Sequence, residues 1–210
     1  MKILISAGPT VEKIDPARFI SNFSSGKMGY ALAKSAKLLG HDVVLVSGPV
    51  SLGEISGVET IHVESAADMS REIRKESKTA DIVIMAAAVA DYRPAKFAVQ
   101  KIKKSTDKLI LELEKTEDIL AWLGRNRRKS QTIVGFCAET ENLLENAAKK
   151  LKTKKIDWIV ANEIGKNDRG FSVDTNAVTI ISKKGDEIDI PLMKKEKVAG
   201  KILNIILGSK

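Results

Sequence analysis

Unbroken apolar runs alternate along this chain with stretches in which apolar residues recur every three or four positions. "KILISA", residues 2–7, predicts a strand; "GKMGYALAKSAKLLG", 26–40, predicts a helix closed by Gly40; "HDVVLVSG", 41–48, predicts a second strand. The same alternation continues. "VETIHV" is a third strand, Ser65 caps a helix reaching Lys78, and "DIVIMAAAVA", 81–90, is a fourth strand. "QTIVGFCAE" follows as a fifth, "NLLENAAKKLKTKK" as an amphipathic helix, and "DWIVANEI" as a sixth. Strands that are apolar at nearly every position have both faces covered, and the helices between them supply the cover. The fold class is therefore α/β, a Rossmann-like, doubly wound and mostly parallel sheet with helices on both faces.

Two stretches depart from this rhythm. In "STDKLILELEK", Leu109, Leu111 and Leu113 fall on one side and Ile110, Glu112 and Glu114 on the other, a period of two that predicts a strand in a hairpin or flap. In "NAVTIISKKGDEIDIPL", two β-rich runs flank Lys-Lys-Gly-Asp, which predicts an antiparallel hairpin. A last helix, from about Lys194 to Leu207, carries Val198, Ile202, Ile205 and Ile206 on one side. No repeat or linker divides the 210 residues, so one domain over 1–210 is expected.

Composition narrows the picture. No run of eighteen apolar residues is present, and Met1 leads almost directly into a strand without the regions of a signal peptide, so a cytoplasmic protein without a membrane partner is expected. The single cysteine, Cys137, rules out an intrachain disulfide and reads as a small core residue, with no nearby histidine to activate it. His41 and His62 sit in or beside strands, which disfavours a histidine-based triad or zinc site. The net charge of +8 attracts nucleic acid, anionic membrane or phosphorylated small molecules. Only 4% of residues are aromatic, so stacking platforms for single strands are poorly supplied. A solvated, lysine-rich surface accounts for much of the excess.

In open α/β sheets ligands bind beyond the carboxyl ends of the strands. The loop after the first strand, "SAGPTVEKIDPARFISNFSSGKMG", is long and polar, as functional loops are. It half-imitates two glycine formulas. A phosphate loop requires G-x-x-x-x-G-K-[ST], but Ser21 stands at the first glycine and Met28 at the hydroxyl; a dinucleotide fingerprint requires G-x-G-x-x-G, but Ser24 takes its first position. What remains is Gly26 and Gly29 at a helix start, with Lys27 beside them: either an anion site or a plain capped turn. After the fourth strand, Ala86, Ala87 and Ala88 allow close approach of a ligand or simply pack, and Asp91 is a ligand carboxylate or a turn residue. Lys101, Lys103 and Lys104 form a basic knot, functional or solvated. Lys150 and Lys154 share one helix face, where they reach a polyphosphate or only water.

Taken together, "SAGPTVEKIDPARFISNFSSGKMG", "VSGPVSL", "AAAVADYRP", "KIKK", "VGFCAET" and "FSVDTNAV" resemble the phosphopantothenoylcysteine synthetase family over nearly the whole chain. The resemblance implies a ligase of coenzyme A biosynthesis with CTP as co-substrate. In it the carboxylate of 4′-phosphopantothenate attacks the α-phosphate of CTP, pyrophosphate leaves, and cysteine attacks the acyl-cytidylate through its amine, releasing CMP. By similarity Asn22 and Lys101 are the catalytic residues, Asn22 at the acyl carbonyl and Lys101 at the nucleotide, with Ala87 also at the substrate. The nucleotide-binding set it implies is Gly8, Thr10, Ser24, Ser25, Gly26, Met85, Ala86, Ala87, Asp91, Glu117, Asp118, Ile119, Leu120, Phe136, Lys150 and Lys154. Mg2+ or Mn2+ accompanies the triphosphate, with metal ligands left unassigned. A homodimer with shared sites is implied, the flap near "KIKK" reaching its neighbour, and so is association with a phosphopantothenoylcysteine decarboxylase. Thr116-Glu117 stands where an Asn-Pro pair often precedes the matching aspartate, a departure at one nucleotide contact. No decarboxylase-like segment precedes Met1, so the chain is a stand-alone synthetase or the excised half of a fusion. The rivals are a dinucleotide-dependent oxidoreductase and a non-catalytic module binding nucleotide or RNA. No nucleic-acid partner is expected.

Overall fold

The computed structural model describes residues 1–103, 108–164, 170 and 173–208. Their elements in chain order are β1 (Lys2–Ala7), β2 (Val11–Asp15), β3 (Arg18–Ser21), α1 (Lys27–Leu38), β4 (Asp42–Ser47), β5 (Glu59–His62), α2 (Ala66–Ser77), β6 (Ile82–Met85), β7 (Tyr92–Pro94), β8 (Leu113–Lys115), α3 (Ile119–Asn126), β9 (Thr132–Glu139), α4 (Leu143–Lys154), β10 (Trp158–Glu163), β11 (Thr175–Ser182), β12 (Glu187–Lys194) and α5 (Lys195–Gly208). One eight-stranded sheet has the order β12-β11-β10-β9-β6-β1-β4-β5. Its six strands from β10 to β5 run parallel, and β11 and β12 complete the sheet as an antiparallel pair. This is the doubly wound, Rossmann-like architecture that the hydrophobic pattern predicts.

Period-two alternation sorts the core into two layers. Along β1, Ile3 and Ile5 join Leu32, Val198 and Ile202, the core of α1 and α5; Leu4 joins Met69, Ile73, Leu123 and Leu151, the core of α2, α3 and α4. Both faces are buried, which is why the parallel strands read as continuous apolar runs. In α5 Val198, Ile202 and Ile206 are buried as expected, while Ile205 is only partly so. The capping box of Ser65 and Asp68 starts α2 where the sequence places it.

Four expectations need correction. The long first loop is not irregular throughout: β2 and β3 form an antiparallel hairpin, held at its turn by Asp15, which accepts hydrogen bonds from the backbone of Ala17, Arg18 and Ile102 and from the Arg18 guanidinium. The fourth predicted strand ends early, because after Met85 the backbone leaves β9 and pairs instead with the first loop. The flap strand is reduced to β8, paired with β7; Leu109–Glu112 carry no regular structure, and residues 105–107 lie outside the described ones. The elements read from periodicity omit a helix, α3, which opens at Asp118 and buries its apolar Ile119, Leu120 and Leu123.

Candidate active site

The sheet order reverses between β1 and β6, and the crevice beyond their carboxyl ends is where a ligand finds backbone groups not committed to the ladder. Here two chain segments cross. Ala88 N–H donates to Gly8 C=O at 2.9 Å, Thr10 N–H to Ala88 C=O at 3.3 Å, and Ala90 N–H to Thr10 Oγ1 at 2.9 Å. Ala87 N–H donates to Ser6 Oγ at 3.1 Å. These bonds fix the small-residue segment Ala86–Ala90 as the floor of a cleft of about 500 Å³.

The start of α1 forms one wall. Its N-cap, Gly26, has φ of 77°, a left-handed conformation that disfavours other residues, and no side chain caps the helix. The first turn holds no acidic residue, and it lines the cleft, where the positive end of the helix dipole favours an anion. Gly29 allows this close approach: a Cβ there would lie 2.5 Å from Ala7 Cβ and 3.0 Å from Ser6 O. Lys27, the residue a phosphate-loop formula favours, places its ammonium 2.6 Å from Asp174 Oδ1.

The opposite wall is α3 with α4. Asp118 caps α3, its Oδ1 accepting from Ala121 N–H at 2.8 Å, while Oδ2 pairs with Lys154. Burial works to raise the Asp118 carboxyl, but the hydrogen bonds from Lys154 and Ala121 and the charges of Lys154 and Lys150 hold it below the ordinary carboxylate value. Glu117 spends its carboxylate elsewhere, accepting from Ser70 Oγ at 2.6 Å and pairing with Arg74, which stacks on Trp122. Only the remainder of Glu117 is left to line the cleft.

Asn22, immediately after β3, lines the cleft with its Nδ2 donating to Ala88 C=O at 2.9 Å. One N–H remains for a ligand. Of the other expected residues, Ser24, Gly26, Met85, Ala86, Ala87, Asp91, Glu117, Asp118, Ile119, Leu120, Phe136, Lys150 and Lys154 line the same cleft. Gly8, Thr10, Ser25 and Lys101 do not. Gly8 and Thr10 hold the floor through the hydrogen bonds above. Lys101 is exposed on a strap tied to the β2–β3 hairpin: Ile102 N–H donates to Asp15 Oδ2 at 3.1 Å, and its C=O accepts from Arg18 at 2.7 Å. Lys104, the last lysine of "KIKK", and Phe171 and Ser172 of "FSVDTNAV" lie outside the described residues. Cys137 is buried in the core as expected, its thiol pushed up to about 11 by burial and by its contact with Glu139.

Three further cleft residues carried no sequence signal strong enough to assign them a role. Asn162 ends an apolar strand, Asn176 begins β11, and Lys195 is one of several lysines around the start of α5. All three are buried. Burial pushes the Lys195 ammonium down to about 8, with Lys27 acting in the same direction and Asp174 against it. Among the described residues no cluster of three or more His, Cys, Asp or Glu side chains is placed to hold a metal ion, and no helix is long and apolar enough to cross a membrane.

Comparison with known proteins gives this arrangement a context. Residues 1–209 match the model of the DNA/pantothenate metabolism flavoprotein C-terminal domain. The coenzyme A biosynthesis bifunctional protein CoaBC of Bacillus subtilis (strain 168) is 48% identical over 205 residues, 97% of this chain and 50% of that protein. The CoaBC of Escherichia coli (strain K12) is 40% identical over 99% of this chain and 52% of its own. The chain thus spans about half the length of these relatives. A crystal structure of the C-terminal domain of a coenzyme A biosynthesis bifunctional protein CoaBC superposes with a TM-score of 0.84 at 46% identity, covering 100% of this chain and 96% of that one. A Cab2 mutant solved with phosphopantothenate-cysteine shares the fold, at a TM-score of 0.80 and 17% identity over 99% of this chain and 85% of that one.

Proposed function

The chain belongs to the DNA/pantothenate metabolism flavoprotein C-terminal domain family, and from that premise we propose that it is the phosphopantothenate–cysteine ligase of coenzyme A biosynthesis, using CTP. The observation that carries this reading is the meeting, in one cleft at the β1/β6 crevice, of Asn22, the Ala86–Ala88 floor, the uncapped start of α1 and the Asp118–Lys154 pair. A ligation through an acyl-nucleotide requires cations and fixed donors rather than an acid–base dyad, and the cleft is furnished accordingly.

In the first half-reaction a carboxylate oxygen of 4′-phosphopantothenate attacks the α-phosphorus of CTP. The bond from that phosphorus to the bridging oxygen breaks, and pyrophosphate departs with the electron pair. In the second, the cysteine amine attacks the acyl carbon, the carbonyl oxygen gains negative charge, and CMP leaves with loss of one proton from nitrogen. Asn22 donates its second N–H to that oxygen, the first being held by Ala88. The α1 amides receive phosphate, Phe136 provides an apolar wall, and Lys150 with the Asp118–Lys154 pair contacts the nucleotide from the far side. Among the described residues no carboxylate cage for Mg2+ or Mn2+ is formed; an ion arriving with the triphosphate would be held mainly by phosphate oxygens and water.

The active form is a homodimer in this proposal. Phe19, Phe23, Phe97, Val99 and Ile110 are exposed on and around the β2–β3 hairpin and the strap, Phe23 at 91% and Ile110 at 90%, an apolar surface suited to a second copy. It carries Lys101 with it, so the lysine acts in the partner's cleft. The length of the relatives supports a decarboxylase as neighbouring domain or partner, and a cytoplasmic setting follows from the pathway. The test incubates the protein with 4′-phosphopantothenate and CTP or ATP, with and without cysteine. Pyrophosphate without cysteine, and amide only with it, is the expected result; absence of nucleotide turnover overturns the ligase reading.

A further inference from the structure

A second cavity, of about 530 Å³, opens between α2 and the β7–β8 hairpin, beside the active cleft. Arg71, Arg74, Lys75 and Lys78 line it from α2 and its C-terminal cap, Arg93 and Lys115 from the hairpin. Glu117 is the one carboxylate lining it among the described residues. Lys75 and Lys78 have a structural reason to be there, since the C-terminal end of a helix attracts cations. Arg93 and Lys115 do not. A separate element brings their charges to the same space, and the cost of gathering like charges is offset when an anion joins them.

Each arginine is oriented by a carboxylate and keeps donors to spare. Arg71 meets Asp68 through Nη1 at 2.9 Å and Glu72 through Nε at 3.0 Å. Arg93 meets Glu114 through Nε at 2.8 Å and Nη2 at 2.7 Å. Arg74 stacks on Trp122, 4.7 Å from the ring centroid, and gives Nη2 to Glu117. A guanidinium carries more N–H donors than these contacts use, in a planar fork that matches phosphate oxygens. Arg74 Nε, moreover, is buried and has no hydrogen-bond partner. A buried donor left unmatched costs free energy, so the pairing with Glu117 is a compromise, and turning to an oxyanion gains Arg74 a bond.

Glu117 ties this cavity to the cleft, because Thr116 and Glu117 line both. Thr116 is anchored to the floor segment, its N–H donating to Asp91 C=O at 3.0 Å and its Oγ1 to Ala90 C=O at 2.5 Å. Asp118, on the other side, caps α3 and pairs with Lys154 inside the cleft. Between these two, Glu117 reaches back to α2, where Ser70 and Arg74 hold its carboxylate. Resting on the ligase reading above for its effect on turnover, we propose that this cavity binds a phosphate group, free or carried by a small molecule, which takes Arg74 from Glu117 and weakens CTP binding through the turn at Asp118. Charge-assisted bonds from arginine suit a phosphate dianion, and the volume leaves room for an ester substituent. By linkage, CTP weakens the phosphate by the same factor.

The experiment titrates the protein with inorganic phosphate and with glycerol 3-phosphate at constant ionic strength, chloride serving as control. It follows Trp122 emission in a Trp158→Phe background, which leaves Trp122 as the one tryptophan, and separately the KM for CTP. A saturable change in Trp122 emission and a rise in KM of about fivefold are expected, with chloride giving neither. Arg71→Gln/Lys78→Gln removes both effects and keeps the KM without phosphate within about twofold of the wild type, as exposed charges far from the cleft allow. Glu117→Gln, which loosens the hold on Arg74, tightens phosphate binding about threefold, an outcome that a purely structural pair does not give. The more potent of the two anions identifies the source of the phosphate group. A rise in KM that persists in Arg71→Gln/Lys78→Gln is competition inside the cleft and overturns the proposal, as does a Trp122 emission unmoved by either anion. The emission titration needs no turnover: if CTP is not converted, the ligase reading falls and the anion site is still tested; if CTP is converted and neither emission nor KM responds, the proposal alone falls.

Discussion

Replacing Asn22 with aspartate tests the chemistry at the centre of the cleft. The substitution keeps size and shape but turns the Nδ2 donor, now 2.9 Å from Ala88 C=O, into an acceptor facing a carbonyl and a developing oxyanion. A hydrogen bond to a charged group contributes about 1.5–3 kcal/mol. At about 1.4 kcal/mol per tenfold in rate, its loss slows the amine-addition step about 10- to 150-fold. The larger factors known for oxyanion donors belong to sites closed to water, and Asn22 is exposed, so the lower part of this range is expected. The folding cost is about 1 kcal/mol or less, since Ala88 C=O also accepts from Thr10 N–H. Rapid-quench measurement separates the halves: pyrophosphate appears in a burst at the wild-type rate, acyl-nucleotide accumulates, and amide forms slowly. Equal loss of both halves, or unchanged amide formation, refutes the assignment of Asn22 to the second step.

Three further outcomes follow from other parts of the molecule. Lys101→Gln is expected to lose acyl-cytidylate formation, and mixing it with Asn22→Asp should regenerate intact sites and activity if the lysine crosses to a partner; no recovery on subunit exchange places it in its own chain's site. Gly29→Ala drives a methyl group to 2.5 Å from Ala7 Cβ, so α1 must shift from β1 at a cost of about 1–3 kcal/mol, lowering Tm by roughly 2–12 °C, whereas Gly200→Ala in α5, with nothing within 4 Å, stabilises by about 0.5–1 kcal/mol; thermal melts of the pair check both signs. Asp15 is held at about 2 instead of 3.8: its burial acts to raise it, and backbone hydrogen bonds from Ala17 and Ile102 with the Arg18 guanidinium outweigh that. A carboxylate with a lowered value contributes stability that is complete above about pH 4 and lost as pH falls through about 2. Amide exchange at Ala17 and Ile102 should therefore accelerate over that window in the wild type, and an identical acid profile in Asp15→Asn would discount the carboxylate.

The sheet was legible because its signal is local. A strand buried on both faces must be apolar throughout, and "KILISA", "DVVLVS" and "WIVANE" have no other solution that hides them from water. The β2–β3 hairpin escaped because Val11–Asp15, with Glu12 and Lys13 adjacent, lacks the period-two alternation of a half-buried strand, and its turn is set by Asp15, a residue whose partners include Ile102 far along the chain. The helix α3 is short, and only its packing against β9 and α4 distinguishes it from a capped turn. Among the expected site residues, Gly26 stood out in the half-matched glycine formulas and Lys154 in its spacing from Lys150, whereas Asn22 and Asp118 came from the resemblance. The pairing of Asp118 with Lys154 was not legible, since 36 residues separate them.

By itself, then, the sequence determined the layered α/β core, the hairpin at its end and the segments that supply the cleft. Each of these depends on periodicity or residue type, properties carried by neighbouring positions. Only the tertiary structure decided which side chains are available within the cleft. It turned Glu117 toward Arg74 and Lys27 toward Asp174, used Gly8 and Thr10 to hold the floor, and set Lys101 outside its own cleft. It also buried Lys195 and Asn176, on elements that follow the rest of the site, against the start of α1. Burial and partner choice are sums over contacts distant in sequence, so a lysine's role is fixed by what surrounds it, and no spacing along the chain reports that.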